Sequence, residues 1–484
     1  MGDVNVTVLS IIVGYLILVT VVGLWVSSRV KSTSDYLIAS SKMGFILVAM
    51  TLIGSWEGTG TSIGISQTAY TQGIYTGFYA SFFAAGLILT VFTLLKFIRF
   101  TVSLTPAAML GKMFGVQTQV MTSLLLIFQN LIVMAMQLVG GAGIMAAVLG
   151  IPYELGLFAM LATTGLYSLA GGIVSTAWTN LIHAVVQNAA AIIAIPVVLS
   201  YVGGWDALVA GLDPKYLSVD GMGFNNLAGW WWTLGLGVMV MSFQQVHQAA
   251  SNKEAEKGFW LAAAMCAFYS MPFALMGVVA AAKFPGVTPL MALPTLTMAI
   301  NPLFAGLILA SVLAAALSTL GPGLAMMPLF VVNDLYKVAR PNSTDRQQLV
   351  VARLSMVVIM AAAVFIAITV RTIVVANVFA FTFRSVMVLA IIFGMLLAGR
   401  HWITREGAFF GILCGAAGIF ISQFAMPDQP PIYLTVVFLA VGTVIASLLT
   451  RGRGNYSLSI WEILKSSAPT LPEQSPEAKP RIAH

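Results

Sequence analysis

Between Gly54 and Gly64 the chain reads Gly-Ser-Trp-Glu-Gly-Thr-Gly-Thr-Ser-Ile-Gly, inside a stretch that is otherwise apolar enough to cross a membrane. Glycines at mid-span weaken a helix and let its carbonyl oxygens turn aside, which a bilayer tolerates only beside a protein-lined cavity. Such freed oxygens can hold an ion or a polar solute. A second stretch has a similar character: Gly235 and Gly237, followed by Ser242, Gln244 and Gln245. Glu57 and Arg384 are the two charges expected within spans. An ionised side chain there costs about 2.5–3.5 kcal/mol on insertion scales, so each needs a partner, a proton or a function. Three roles for Glu57 stand open: a ligand in a cation site, a proton carrier, or a bridge to Arg384. Arg384 can instead grip a substrate carboxylate through two parallel hydrogen bonds.

Other chemistry has little support in the residues. No His/Glu/Asp cluster has metal-ligand spacing, no Gly-rich loop suits ATP, and Cys266 and Cys414 lie in separate apolar segments. We therefore expect no enzyme, no organic cofactor and no disulfide. His183 and His247 fit packing roles, and Trp230, Trp231 and Trp232 fit an interfacial aromatic belt.

The elements that must position these residues are membrane helices. Hydrophobic residues make up 59% of the 484 positions and charged residues 8%, far from the quarter usual in soluble domains. Apolar runs of roughly 20 residues suffice to cross a bilayer. Thirteen fall at about 6–26, 46–71, 74–98, 119–149, 154–171, 177–201, 228–249, 258–282, 302–334, 348–370, 372–398, 404–424 and 432–449. Their length and continuity exclude barrel strands, which alternate over about ten residues. With the N-terminus outside, only Lys215, Lys283 and Arg371 face outward and Arg384 lies within a span. All remaining Lys and Arg fall in cytoplasmic segments, as the positive-inside rule requires. The +7 charge thus orients the protein and does not mark a nucleic-acid partner. The expected architecture is an all-α integral membrane protein of the cell membrane, with 1–465 as one transmembrane domain. The Pro- and Ser-rich segment 466–484 reads as a disordered cytoplasmic tail. The segment 105–114 is expected on the cytoplasmic surface, and the outer loop 203–227 as a partly ordered lid. The two Gly-rich spans lie five apart, the spacing of an inverted repeat whose paired broken helices form the binding site.

Several motifs then carry a resemblance. Tyr36-Leu37-Ile38-Ala39-Ser40, Ala170-Gly171-Gly172-Ile173 with Ala177-Trp178-Thr179-Asn180, and Glu254-Ala255-Glu256-Lys257-Gly258 resemble motifs of the sodium:solute symporter family. So does Ala314-Ala315-Ala316-Leu317-Ser318-Thr319, which continues to Asn333-Asp334-Leu335-Tyr336-Lys337. The resemblance implies the leucine-transporter fold, with inverted five-helix repeats at about 46–201 and 228–398 and peripheral helices around them. It also implies a Na⁺ site in which the carbonyls of Gly54 and Glu57 face the Ala315 carbonyl and the Ser318 and Thr319 hydroxyls. A desolvated Na⁺ asks for about five such oxygens. The same likeness places Trp56, Thr61, Tyr75, Tyr79, Ser242 and Arg384 around a substrate cavity. Relatives that use a second sodium carry an acid where Asn180 stands and hydroxyls where Gly321-Pro322 stands, so one coupling cation is expected.

The function expected is secondary active symport: inward Na⁺ flux coupled to uptake of a small polar solute, an organic anion or amino acid if Arg384 binds it. Proton coupling through Glu57 and a passive channel are the alternatives. A monomer suffices for this mechanism.

Overall fold

The computed structural model describes residues 5–30, 36, 42–101, 103–369, 373–397, 402–456, 458 and 462. The motif positions 37–40, Arg371 and the segment 466–484 lie outside these residues. Among them the backbone is helical throughout, with two isolated β-bridges, Met43–Ala249 and Thr404–Tyr456.

The chain opens with α1 (Val6–Ser27), whose Asn5 side chain caps the Thr7 and Val8 amides. One stripe of α1, Val8, Ile12, Tyr15, Val19 and Gly23, is buried, while Ile17, Leu18, Val21 and Trp25 are exposed as lipid-facing residues should be. Next come α2 (Phe45–Trp56) and α3 (Ile63–Gln72), which are two halves of one crossing. A 3-10 turn (Ile74–Phe78) leads into α4 (Tyr79–Thr93) and α5 (Leu95–Thr101). Next is α6 (Pro106–Phe114), mostly buried, started by Thr105 capping the Ala108 amide and stopped at Gly115, with φ 96°. It packs on α7 (Val116–Leu149).

Helix α8 (Tyr153–Val202) runs through two crossings, divided at Gly172, whose φ of 55° and ψ of −137° are not helical. A Cβ there would lie 2.4 Å from the Tyr36 carbonyl, so the Gly-Gly motif exists to let two backbones meet. The loop 203–223 folds into short helical turns, and its Tyr216 and Gly221 abut the end of α3, where a Cβ on Gly73 would sit 2.6 Å from the Tyr216 oxygen.

The second half contains α9 (Phe224–Gln248), α10 (Asn252–Cys266), α11 (Met271–Lys283) and α12 (Ala292–Ile300). Then α13 (Pro302–Leu329) is almost wholly buried, followed by a π-helical turn at Phe330–Tyr336, directly after Pro328 removes a backbone donor. Four further helices complete it: α14 (Asp345–Thr369), α15 (Val374–Leu397), α16 (Arg405–Ala425) and α17 (Pro431–Thr450). Among the described residues, ten helical stretches are long and apolar enough to span by themselves. Dividing α8 at Gly172, and adding the α2–α3 crossing and α9, recovers all thirteen crossings read from the sequence.

One expectation is overturned. The Gly235–Gly237 span is not a broken helix, because α9 runs uninterrupted from Phe224 to Gln248. Its glycines serve packing: a Cβ on Gly86 would meet the Gly235 oxygen at 2.3 Å, and one on Gly237 would meet Phe381 at 2.9 Å. The interruption in this half lies instead between α10 and α11, at 267–270.

Candidate functional site

Helix α2 ends where its glycines predict. Glu57 leaves the helical region (φ −84°, ψ 69°), and the chain re-enters a helix only after Ser62 (φ −115°, ψ −97°). The hydroxyls of Thr61 and Ser62 turn back to the Gly58 carbonyl at 2.7 and 3.1 Å, satisfying an oxygen the helix would otherwise use. Three helices clasp the break. Gln137 on α7 accepts from the Thr59 amide at 2.8 Å. A Cβ on Gly58 would lie 2.8 Å from the Thr319 hydroxyl, and one on Gly60 2.4 Å from the Asn377 amide on α15.

At the end of α2 the last carbonyls lack helical partners. The Gly54 carbonyl accepts instead from the Thr319 hydroxyl at 3.0 Å. One residue earlier, the Ser318 hydroxyl donates to the Ala315 carbonyl at 3.0 Å and accepts from the Gln187 amide at 3.0 Å. Two buried carbonyl–hydroxyl pairs, Gly54–Thr319 between α2 and α13 and Ala315–Ser318 within α13, thus stand at neighbouring positions of α13. Neutral oxygens of this kind are ligands a desolvated Na⁺ accepts. Asn180 packs against this locus, since a Cβ on Gly54 would touch its amide at 2.4 Å, and both its amide atoms are buried without a partner.

Glu57 is turned elsewhere. Its Oε2 accepts from the Asn188 amide at 3.1 Å and its Oε1 has no partner among the described residues. Cys266 and Tyr269, from the α10–α11 interruption, share its pocket. A Glu57–Arg384 bridge, one of the three roles open for Glu57, does not form, because Arg384 is held by α7: Nε donates to Gln129 at 2.7 Å and an Nη to Asn130 at 2.9 Å. Its guanidinium lies 4.3 Å from the Phe381 ring centroid and 5.4 Å from that of Trp56. The only ion pair among the described residues is Lys215–Asp213 on the outer surface. Arg384 is thus a buried cation among neutral partners.

Beside the break lies a narrow cavity of ≈ 20 Å³, room for about one water, lined by Trp56, Thr61, Tyr79, Phe83, Gln137, Thr319, Asn377 and Phe381, among others. Trp56, Phe83 and Phe381 form an aromatic cluster, with Phe83 and Phe381 stacked at 5.4 Å. Thr319 belongs both to this cavity and to the Gly54–Thr319 pair.

Of the residues read as substrate-binding, Trp56 and Thr61 line the cavity and Arg384 stacks on its wall. Tyr75 does not. It sits half-buried in the 3-10 turn against Phe78, and Tyr79, one turn later, takes the cavity position. Nor does Ser242, whose hydroxyl bonds to Val238 in its own helix at 2.9 Å. His183 pairs with the Tyr15 hydroxyl, and His247 with the Ser103 carbonyl at 2.8 Å. Trp230 contributes more than an interfacial belt, packing edge-on against Tyr79 at 5.1 Å. The amides Gln129, Asn130, Gln137 and Asn377 were missed. Their signal was their presence in apolar runs, the first three spaced to share one face of α7.

These features define a membrane carrier with an interrupted helix at its centre. The sodium:solute symporter family profile matches residues 36–415, and the chain belongs to that family. It is 27% identical over 365 residues to the sodium/proline symporter of Salmonella typhimurium, covering 69% of this chain and 70% of that one. It is 25% identical to the sodium/pantothenate symporter of Haemophilus influenzae (70% and 75% covered) and 25% identical to the sodium/glucose cotransporter of Vibrio parahaemolyticus (90% and 89%). The fold matches that of a Na⁺-coupled sialic acid symporter in its outward-open state, with a TM-score of 0.80 at 18% identity, over 94% of this chain and 99% of that one. It also matches the nucleobase-cation-symport transporter Mhp1, at 0.58 and 14%, over 90% and 99%. The chain is a multi-pass transporter of leucine-transporter fold, and its relatives are carriers, not enzymes.

Proposed function

We propose that this protein uses the inward Na⁺ gradient to take up a small organic anion, with the N-terminus outside and residues 1–465 acting as one transport unit. Na⁺ binds among Gly54, the Glu57 carbonyl, Ala315, Ser318 and Thr319. Filling that site replaces the Thr319–Gly54 hydrogen bond with ion contacts that keep α13 against the end of α2. Thr319 also walls the cavity, so the ion shapes the solute site before both cross. The relatives named above carry proline, pantothenate and glucose, so the family does not choose the solute.

The single observation that carries the anion reading is Arg384. A buried guanidinium needs a counter-charge to offset its desolvation. Here its protein partners are two neutral amides, and the aromatic wall beneath it is that of the cavity. A solute carboxylate supplies the missing charge, and its apolar body packs on Trp56, Phe83 and Phe381 once these rings part, since the cavity of ≈ 20 Å³ between them is smaller than any such solute. The test is a panel of labelled monocarboxylates, amino acids and sugars in proteoliposomes, with and without a Na⁺ gradient. Accumulation of a carboxylate above its external concentration only with Na⁺ supports the reading, and equilibration without accumulation marks a passive pore.

Glu57 favours a second reading, proton coupling, because one carboxyl oxygen has no partner and no cation faces it among the described residues. Glu57→Gln decides it: Na⁺-dependent transport that persists unchanged excludes the proton.

A further inference from the structure

The cytoplasmic end of α2 borders a groove of ≈ 810 Å³ that plays no part in the site above. Its polar rim holds Arg29 and Lys42, and its apolar wall is Ile46, Ala177, Trp178 and Leu181. Trp178 is 43% exposed, so the wall opens toward lipid. One carboxylate, Glu254, lies in the groove, but its Oε2 accepts from the Phe45 amide at 2.7 Å and so serves the start of α2. Lys257 adds a third cation, 5.8 Å from the Phe45 ring. Arg29 and Lys42 have no acidic partner among the described residues, Arg29 resting 4.0 Å from the Trp25 ring centroid. Two unpaired cations above an apolar, tryptophan-lined slot of this size match a phosphate headgroup with its acyl chain.

We infer that this groove binds an anionic phospholipid of the cytoplasmic leaflet and that the lipid stabilises the inner seal of the carrier. Position supplies the link. Next to Lys42, the Met43 amide donates to the Gln248 carbonyl at 2.9 Å, and the Ala250 amide donates back to the Met43 carbonyl at 2.9 Å. That bridge fastens the start of α2 to the end of α9. Arg99 tightens the same corner by donating to the Val246 and Ala249 carbonyls at 2.8 and 2.7 Å. Opening toward the cytoplasm must break the Met43 bridge, and a phosphate held by Lys42 and Arg29 opposes that movement.

The test needs no knowledge of the solute. The full chain is placed in nanodiscs of phosphatidylcholine with or without phosphatidylglycerol. Retained lipid is read by native mass spectrometry, and amide exchange is followed at Met43 and Ala250. The wild type should retain phosphatidylglycerol and exchange these two amides several-fold more slowly when it is present. The double variant Arg29→Gln, Lys42→Gln should retain it roughly tenfold less or worse and lose the slowing. The charge-keeping pair Arg29→Lys, Lys42→Arg should behave as wild type, which also certifies the fold. Equal retention by wild type and double variant overturns the site. Retention without slower exchange overturns the seal. Should the double variant fail to fold, wild type that shows no preference for phosphatidylglycerol overturns the proposal alone.

Discussion

The Thr319 hydroxyl donates to the Gly54 carbonyl across 3.0 Å, tying α13 to the last turn before the break that follows α2. This contact joins the proposed ion locus to the proposed solute site, because Thr319 also lines the cavity beside the break. A Na⁺ inserted here exchanges that hydrogen bond for two ion–oxygen contacts, leaving the same two helices cross-linked. Ion occupancy and cavity shape are then one event.

Thr319→Val keeps the shape and removes the oxygen. Losing one ligand of a buried ion costs about 1.5–3 kcal/mol, the range for hydrogen bonds to charged groups. The Na⁺ concentration for half-maximal uptake should rise roughly 10- to 100-fold, and Thr319→Ser should restore it. Uptake measured across a Na⁺ series reads this directly.

Gly58→Ala and Gly60→Ala test the clasp around the break. The added methyl would lie 2.7 Å from Gln137 and 2.4 Å from Asn377, respectively. Overpacking of this kind costs about 1–3 kcal/mol, so thermal unfolding in detergent should occur at lower temperature, with transport reduced further. Gly14→Ala, where a Cβ meets nothing within 4 Å, is the matched control and should change neither.

Arg384→Lys keeps the charge but loses the fork that engages Gln129 and Asn130 and the flat face that covers Trp56. Solute affinity should fall by roughly 30-fold or more for Lys. For Gln it should fall further, since truncating one partner of a buried pair costs about 2–5 kcal/mol. Na⁺ binding in the absence of solute should stay near wild type in both, which separates a solute role from a structural one.

Charge balance gives a sharper test. Asn180 is neutral and Gly321 carries no hydroxyl, so one Na⁺ should move per cycle and uptake should rise hyperbolically with Na⁺. With a monoanionic solute that cycle moves no net charge. An imposed potential should leave accumulation unchanged, and a tenfold Na⁺ gradient should sustain about tenfold accumulation. A neutral or zwitterionic solute would instead gain about 2.3 kcal/mol per 100 mV, or roughly 50-fold at 1.36 kcal/mol per decade. Comparing uptake with and without a valinomycin-imposed potential distinguishes them.

Sequence alone exposes most of this fold, because a bilayer forces every backbone group to bond within its own helix and leaves long apolar runs as the only spanning form. The break at Gly58–Gly60 is legible for the same reason: nothing but a cavity or a close approach excuses glycines there. Gly235 and Gly237 show where that inference fails. They too stand in the middle of a span, yet they accommodate Gly86 and Phe381 across an intact helix. Composition cannot separate a break from a close crossing. The partner of Arg384 was likewise hidden. Glu57 is the obvious opposite charge in the sequence, and only the rotation of α7 brings Gln129 and Asn130 to the guanidinium instead.

The most direct measurement is solute accumulation by proteoliposomes holding the double variant Ser318→Ala, Thr319→Ala, compared with wild type across external Na⁺ concentrations. The variant should fold, equilibrate solute slowly at best, and no longer respond to Na⁺. Undiminished accumulation with its wild-type Na⁺ dependence would contradict the claim that these two hydroxyls and the Gly54 carbonyl hold the coupling ion.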